Sequence, residues 1–222
     1  MPPRPPCSTC TTPPPAPDDE LDRTDYGAQG SHISAEQWAR ITAAYDSALD
    51  HEREAMQDLL TAVFGVLLWP RETNISFELA EDGETVWLDV DLPEIEELPS
   101  QTAAVNKREL RVSFKERSAT QLRRDYAQHV HAVGFRLIGE VFTCLPTVQT
   151  VICSAFSQRV SQQTGHMGDE YLYSVRVGRG QWERLNFANL GQLDVVACFA
   201  QFELRRTLNA HAYLKPIDPF ER

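Results

Sequence analysis

The first long hydrophobic pattern in the chain has the spacing of an α-helix. Apolar residues recur every three or four positions from Trp38 to Leu67, and Pro70 ends the run. Ser34 and Gln37 match the pattern of a capping box just before it. We therefore predict one long helix that begins after Ser34.

A pattern of period two follows this helix. Apolar and polar side chains alternate over residues 75–79 and again over 86–92, and Asp82-Gly83 supplies a turn between the two runs. This combination predicts a β-hairpin. After an acidic loop at residues 93–99, the alternation returns over residues 109–115 and predicts a third strand.

The second half of the chain repeats the order of helix and strands. Ser118 and Gln121 match a second capping box, and a wide apolar stripe then continues to Leu145, directly before Pro146, which predicts a second long helix. We predict two further strands at residues 148–159 and 171–177, and short helices at 181–186 and 193–206.

This order of elements predicts an α+β fold, with a mostly antiparallel sheet of about five strands packed against two long helices. We assign residues 34–222 to a single α+β domain. Residues 1–33 contain eight of the 14 prolines and no apolar run, so we predict a disordered, proline-rich tail or linker there. The 222 residues are 42% hydrophobic and 24% charged, which excludes collagen-like, wholly disordered and disulfide-scaffold classes.

The net charge of -11 is distributed unevenly along the chain. Residues 71–97 hold ten acidic residues against the single Arg71, a net charge of -9, whereas residues 101–124 carry seven basic residues against two acidic ones, a net charge of +5. The total argues against a sequence-independent nucleic-acid binder. The two blocks either neutralise each other or form a site, and the pattern leaves both alternatives open.

No segment of the sequence is typical of a signal peptide or a membrane span, so we expect a cytoplasmic protein that does not interact with membranes. The longest apolar run, residues 62–69, is far shorter than the roughly 20 residues of a spanning helix. Five cysteines without an even framework favour reduced thiols. Cys7 and Cys10 have the spacing of half a zinc site, and whether they bind metal stays open.

Several segments resemble the C-terminal region of a family of uncharacterised bacterial proteins. They are DVDLPEIEELP at residues 89–99, NKREL at 106–110, YAQHVH at 126–131 and GEVF at 139–142, and the likeness covers residues 34–220. Some members of that family carry a small β-rich domain before this region, which agrees with a linker at the start of the chain. The resemblance implies a bacterial intracellular protein and no established activity.

The order helix, three strands, helix, strand is also similar to the core of restriction-endonuclease-like nucleases. In that family an Asp on the second strand and a Glu-x-Lys on the third hold Mg²⁺, and the lysine positions or activates the attacking water. This resemblance implies that the catalytic residues would be Asp89, Asp91, Glu109 and Arg111, and that Asp91, Glu109 and Glu140 would bind the metal.

The sequence departs from the nuclease pattern where Arg111 replaces the expected lysine. An arginine stays protonated and cannot take the proton-transfer role. In the alternative, Asp89 or Asp91 forms ordinary cross-strand ion pairs with Arg111 or Lys115, each contributing about 1 kcal/mol or less.

Other polar residues give weaker hypotheses. His129 and His131 lie two positions apart on a helix and cannot chelate one metal, so we expect one of them to form a hydrogen bond in the core. Glu140 is either an acidic ligand or a partner of Arg136, four residues earlier. Cys144 and Cys153 have no adjacent histidine in the sequence and are predicted to be buried as small hydrophobic residues.

Two functions from different classes remain. The first is a non-catalytic interaction or accessory module that binds an unknown protein partner and needs no cofactor. The alternative is a Mg²⁺-dependent nuclease-like domain, or a degenerate relative of one, that acts on nucleic acid.

Overall fold

The computed structural model describes residues 34, 36, 37, 39–41, 43, 53–69, 73–106, 111–160 and 165–222. The predicted tail at residues 1–33, with Cys7 and Cys10, lies outside the described residues. So do Glu109 and the middle of the first predicted helix.

Groups of helices and groups of strands follow one another along the chain, as in an α+β fold. In chain order they are α1 (Arg53–Val66), β1 (Ile75–Leu79), β2 (Thr85–Asp91), a 3₁₀ turn (Ile95–Glu97), β3 (Gln101–Asn106), β4 (Arg111–Glu116), α2 (Ala119–Cys144), β5 (Thr150–Val160), β6 (Met167–Gly178), α3 (Arg179–Trp182), a second 3₁₀ segment (Phe187–Gln192), α4 (Val195–Phe199), β7 (Glu203–Leu208) and β8 (Leu214–Lys215).

Six of the strands form one mixed sheet in the order β1-β2-β5-β6-β7-β8, and β3 and β4 form a separate antiparallel pair. Within the main sheet β2 and β5 run parallel, and the other neighbours are antiparallel. The α+β class is confirmed. The prediction of about five strands was wrong, since the described residues contain eight strands in two sheets.

Both predicted capping boxes mark helical starts. The Gln37 backbone N–H donates to Ser34 Oγ at 3.1 Å, and the Ser34 N–H donates to Gln37 Oε1 at 2.7 Å. At the start of α2, the Gln121 N–H donates to Ser118 Oγ at 3.2 Å. These hydroxyls satisfy backbone donors that have no partner inside the helix, which is why serine is favoured there.

The predicted helix at residues 193–206 was wrong in its second half. Only Val195–Phe199 is helical, and Glu203–Leu208 forms β7. Along β7 the exposed residues Glu203, Arg205 and Thr207 alternate with partly buried ones, a period of two. Pairing with β6 decides the conformation of this short segment, because a period of two and a period of 3.6 differ little over so few residues.

The core lies between one face of the main sheet and the helices α1 and α2. Phe64 of α1 packs edge-on against Phe77 of β1, with ring centroids 5.6 Å apart. Tyr173 of β6 is fully buried, and its hydroxyl donates to the Val130 carbonyl of α2 at 2.9 Å. Sheet and helices are thus held by apolar packing and by a buried hydrogen bond that fixes α2 over β6.

Gly134 is required where α2 crosses Tyr173. A Cβ at this position would overlap the Tyr173 hydroxyl oxygen. We expect Gly134→Ala to lower the free energy of unfolding by about 2 kcal/mol, and to cost clearly less in a Tyr173→Phe background, where the nearest atom is absent. Urea denaturation of the four proteins measures this coupling.

Gly65 of α1 provides the matched control, because a Cβ there meets nothing within 4 Å. Gly65→Ala should raise stability by about 0.5–1 kcal/mol through helix propensity alone. Equal effects of the two alanines would contradict the steric explanation.

Candidate functional site

The structure places Asp89 and Asp91 on β2, as predicted, on the sheet face opposite the helices. Asp89 Oδ2 accepts a hydrogen bond from the Tyr171 hydroxyl at 3.0 Å, and Oδ1 is buried without a partner among the described residues. Burial raises the pKa of Asp89, although the bond from Tyr171 and the charge of Arg222 act in the opposite direction. The Asp89 carboxylate therefore contacts Tyr171 and not the basic strand that carries Arg111 and Lys115.

Arg111 and Glu140 do not lie on strands next to β2. The neighbours of β2 are β1 and β5, whereas Arg111 is exposed on β4 of the separate pair. Glu140 lies on α2, where its Oε1 is 3.7 Å from Arg136 Nε, in agreement with the ion-pair alternative. Among the described residues no three His, Cys, Asp or Glu side chains are grouped so that they could hold a metal. Glu109 is not among them, so the catalytic and metal-binding roles stay predictions.

The histidine and cysteine hypotheses can be compared with the core. His131 is fully buried, with Nδ1 2.7 Å from the Ala127 carbonyl oxygen and Nε2 2.9 Å from Arg206 Nη1. This confirms one core histidine.

Burial raises the pKa of both Cys144 and Cys153 to about 12, which makes them poor nucleophiles at neutral pH.

The C-terminal segment crosses the sheet face that carries Asp89. The Ile217 N–H donates to the Tyr171 carbonyl at 2.9 Å, and the Phe220 N–H donates to Ser174 Oγ at 3.1 Å. The Phe220 ring lies between two guanidinium groups, those of Arg176 at 4.7 Å and Arg205 at 4.4 Å. These contacts cover a polar row of the sheet and leave a cleft of about 340 Å³ beside Asp89.

The separate pair of strands, which we call the β3–β4 arm (Gln101–Asn106 and Arg111–Glu116), is exposed to solvent. Residues 101–105 of β3 and all six residues of β4 are exposed. By register Ala103 faces Phe114 and Val105 faces Val112, so these four side chains share one face of the arm. Phe114 is 68% exposed, Val105 64% and Val112 56%. The arm thus presents an apolar face that nothing in the described chain covers.

The opposite face of the arm is basic. Lys115 pairs with Thr102 and Arg111 with Asn106, and both cations are exposed. None of the ion pairs among the described residues joins either cation to the acidic residues of 73–97. Within the described fold, the basic arm does not neutralise the acidic block.

The base of the arm is fixed to the start of α2. The Arg117 N–H donates to the Ser100 carbonyl at 2.8 Å, and Arg117 Nη1 lies 3.1 Å from Asp125 Oδ2. A cleft of about 360 Å³ lies at this end of the domain, between the 3₁₀ turn, the first turns of α2 and the β7–β8 connection. Arg123 and Arg159 line it, together with the carboxylates Glu96 and Glu170. The arm therefore leaves the body from an anchored base.

Sequence reasoning identified β4 as a strand but not its exposure. The alternation of Arg111 and Lys115 with Val112 and Phe114 gives no signal of this exposure, since a strand with one face buried in a sheet shows the same pattern. The strand β3 was missed because Gln101–Asn106 is polar at both ends and has only small apolar residues between them.

Comparison with known proteins adds no relative: no family model, no curated protein and no solved structure matches this chain. In the described part of the chain, no helix is long and apolar enough to cross a membrane.

Proposed function

We propose that the chain is a non-catalytic interaction module of a bacterial intracellular protein, and that its contact surface is the apolar face of the β3–β4 arm. The exposure of Phe114, Val105 and Val112 on one face of that arm is the observation that carries the proposal. The resemblance to uncharacterised bacterial proteins supports the cellular setting.

Two physical arguments support a contact role for this face. An isolated two-stranded hairpin is marginally stable in water, because it has no third layer on which to bury its side chains. A contiguous apolar patch rimmed by charges is also typical of a protein interface. A partner that covers Phe114 would supply the missing layer and stabilise the arm.

The proposal predicts that Phe114→Ser weakens partner binding at least about tenfold, because burying a phenylalanine contributes about 1.5–3 kcal/mol. The purified chain, with a photo-crosslinking residue at Ala103, which lies on the apolar face directly opposite Phe114, would be used to identify partners in a lysate of the source organism. Each partner would then be purified and its dissociation constant measured against wild type and Phe114→Ser. The variant should keep its stability within about 0.5 kcal/mol, since the ring is mostly exposed.

Leu190→Ser is the matched control, because Leu190 is 48% exposed and lies on the second 3₁₀ segment, outside the arm. It should bind each partner as wild type does. Equal affinities of wild type and Phe114→Ser for every identified partner would contradict the proposal.

A further inference from the structure

The acids of the β1–β2 turn and the cations of the β3–β4 arm lie beyond opposite ends of β2. The β1–β2 turn carries the exposed acids Glu81, Asp82 and Glu84 and precedes β2. The 3₁₀ turn and the arm follow the other end of β2. Because β2 has seven residues and a strand rises about 3.3 Å per residue, the two ends are about 20 Å apart.

None of the ion pairs among the described residues involves Glu81, Asp82 or Glu84. The Asp82 carboxylate only accepts the Glu84 N–H at 2.8 Å, which shapes the turn. At the other end, Arg111 and Lys115 are exposed on β4, and none of these ion pairs involves either of them. The acids of the β1–β2 turn and the two cations of the arm are therefore available to opposite charges of another molecule, with Glu96 and Glu97 of the 3₁₀ turn at the same end of β2 as the arm.

From this arrangement we infer that the occupant of the β3–β4 arm is a second copy of this chain, an inference that rests on the proposed function. Two copies related by a two-fold axis, with their sheets antiparallel, place the arm of each beside the β1–β2 turn of the other. The two contacts are identical, so the assembly closes as a dimer. The apolar face of each arm packs on the other copy, and the long Arg111 and Lys115 side chains reach its acidic turn.

A nucleic acid is the main competing occupant, since a two-stranded ribbon fits a major groove and its cations could contact phosphates. Phosphates would leave the apolar face with Phe114 uncovered, however, and would repel the acidic turns of the same protein. A second copy would cover the apolar face, and it would also place opposite charges beside both the basic face and the acidic turn.

A charge swap on the full chain tests this inference. The arm variant carries Arg111→Glu and Lys115→Glu, and the turn variant carries Glu81→Lys and Glu84→Lys. By sedimentation velocity over a wide concentration range, wild type should dimerise, and each variant alone should dimerise at least about tenfold more weakly. An equimolar mixture of the two should dimerise again, because both contacts of the mixed dimer then join opposite charges.

Two matched controls reverse as many charges elsewhere. Glu54→Lys with Asp58→Lys alters exposed acids of α1, and Arg184→Glu with Lys215→Glu alters exposed cations outside the arm. Both should dimerise as wild type does. Circular dichroism of every variant confirms that it is folded.

The inference is overturned if wild type is monomeric throughout, or if the mixture of arm and turn variants stays monomeric. A monomeric wild type that binds a different protein through Phe114 would overturn the dimer and leave the proposed function standing. A monomer whose arm binds duplex DNA, with loss of binding in the arm variant, would overturn both.

Discussion

Replacing Arg179 by methionine is expected to lower the free energy of unfolding by about 3–5 kcal/mol. Arg179 follows β6 directly, and its guanidinium donates to three carbonyls at the end of α2 and just beyond it: those of Phe142 at 3.1 Å, Leu145 at 2.6 Å and Val148 at 2.6 Å. It also lies over the Phe142 ring at 4.8 Å. A methionine of similar length would leave these carbonyls without this donor and the negative end of the helix dipole uncompensated.

Urea denaturation of two further variants separates charge from geometry. Arg179→Lys keeps the charge but lacks the planar fork, so it should lose an intermediate amount. Arg184→Met, at an exposed position five residues on, should change stability by no more than about 0.5 kcal/mol. A wild-type-like Arg179→Met would show that water replaces the guanidinium at little cost.

Stability should also fall by about 3 kcal/mol as the pH is lowered from 6.5 to 4, through His131 alone. Burial lowers the pKa of this histidine from 6.5 to about 4 in the folded protein. Between these values the unfolded chain binds the proton and the folded chain does not, so acid favours unfolding. The physical cause is the site itself, because Nδ1 donates to the Ala127 carbonyl and Nε2 accepts from Arg206, which leaves no room for a second ring proton.

Nuclear magnetic resonance titration of the His131 ring measures its pKa directly, and urea denaturation at several pH values measures the slope. In His131→Leu the slope between pH 4 and 6.5 should be much shallower, whatever the stability at neutral pH. His129→Gln serves as the control, since His129 is only half-buried and should contribute less to the slope. A His131 ring that titrates near 6.5 in the folded protein would contradict the explanation.

Local elements were predictable where the sequence carries a physical signal of short range. The alternation over 75–79 and 86–92 and the serine caps at Ser34 and Ser118 all describe what the structure contains. Each of these signals depends on backbone geometry within a few residues, so no knowledge of the remaining fold is needed.

The neighbours of each strand were not predictable in this way. The third predicted strand follows the second in sequence, yet β2 pairs with β5, about 60 residues later, and β4 pairs only with β3. Strands pair so that their apolar faces can share one core, and a period-two pattern does not show which strand will be the neighbour. The hypothesis of a metal site between β2 and β4 relied on a pairing that the described fold does not contain.

The same limit applies to the apolar and basic faces of the β3–β4 arm. The sequence shows that Val112 and Phe114 alternate with Arg111 and Lys115, but not that both faces of the strand reach solvent. Arg206 lies on β7 and donates to the Val196 carbonyl of α4 at 2.9 Å. Its chemistry was evident from the residue type, and its location was not.

The sequence alone determined the α+β class, the helix starts and the segregation of acidic from basic residues along the chain. Only the tertiary structure decided that the acids of the β1–β2 turn and the cations of the arm lie beyond opposite ends of β2, that the basic strand stands apart from the main sheet, and that His131 contacts Arg206 and Arg179 the carbonyls at the end of α2. The physical reason is range: helix caps and periodicity act over a few residues, whereas burial and charge pairing depend on groups that the folded chain alone brings together.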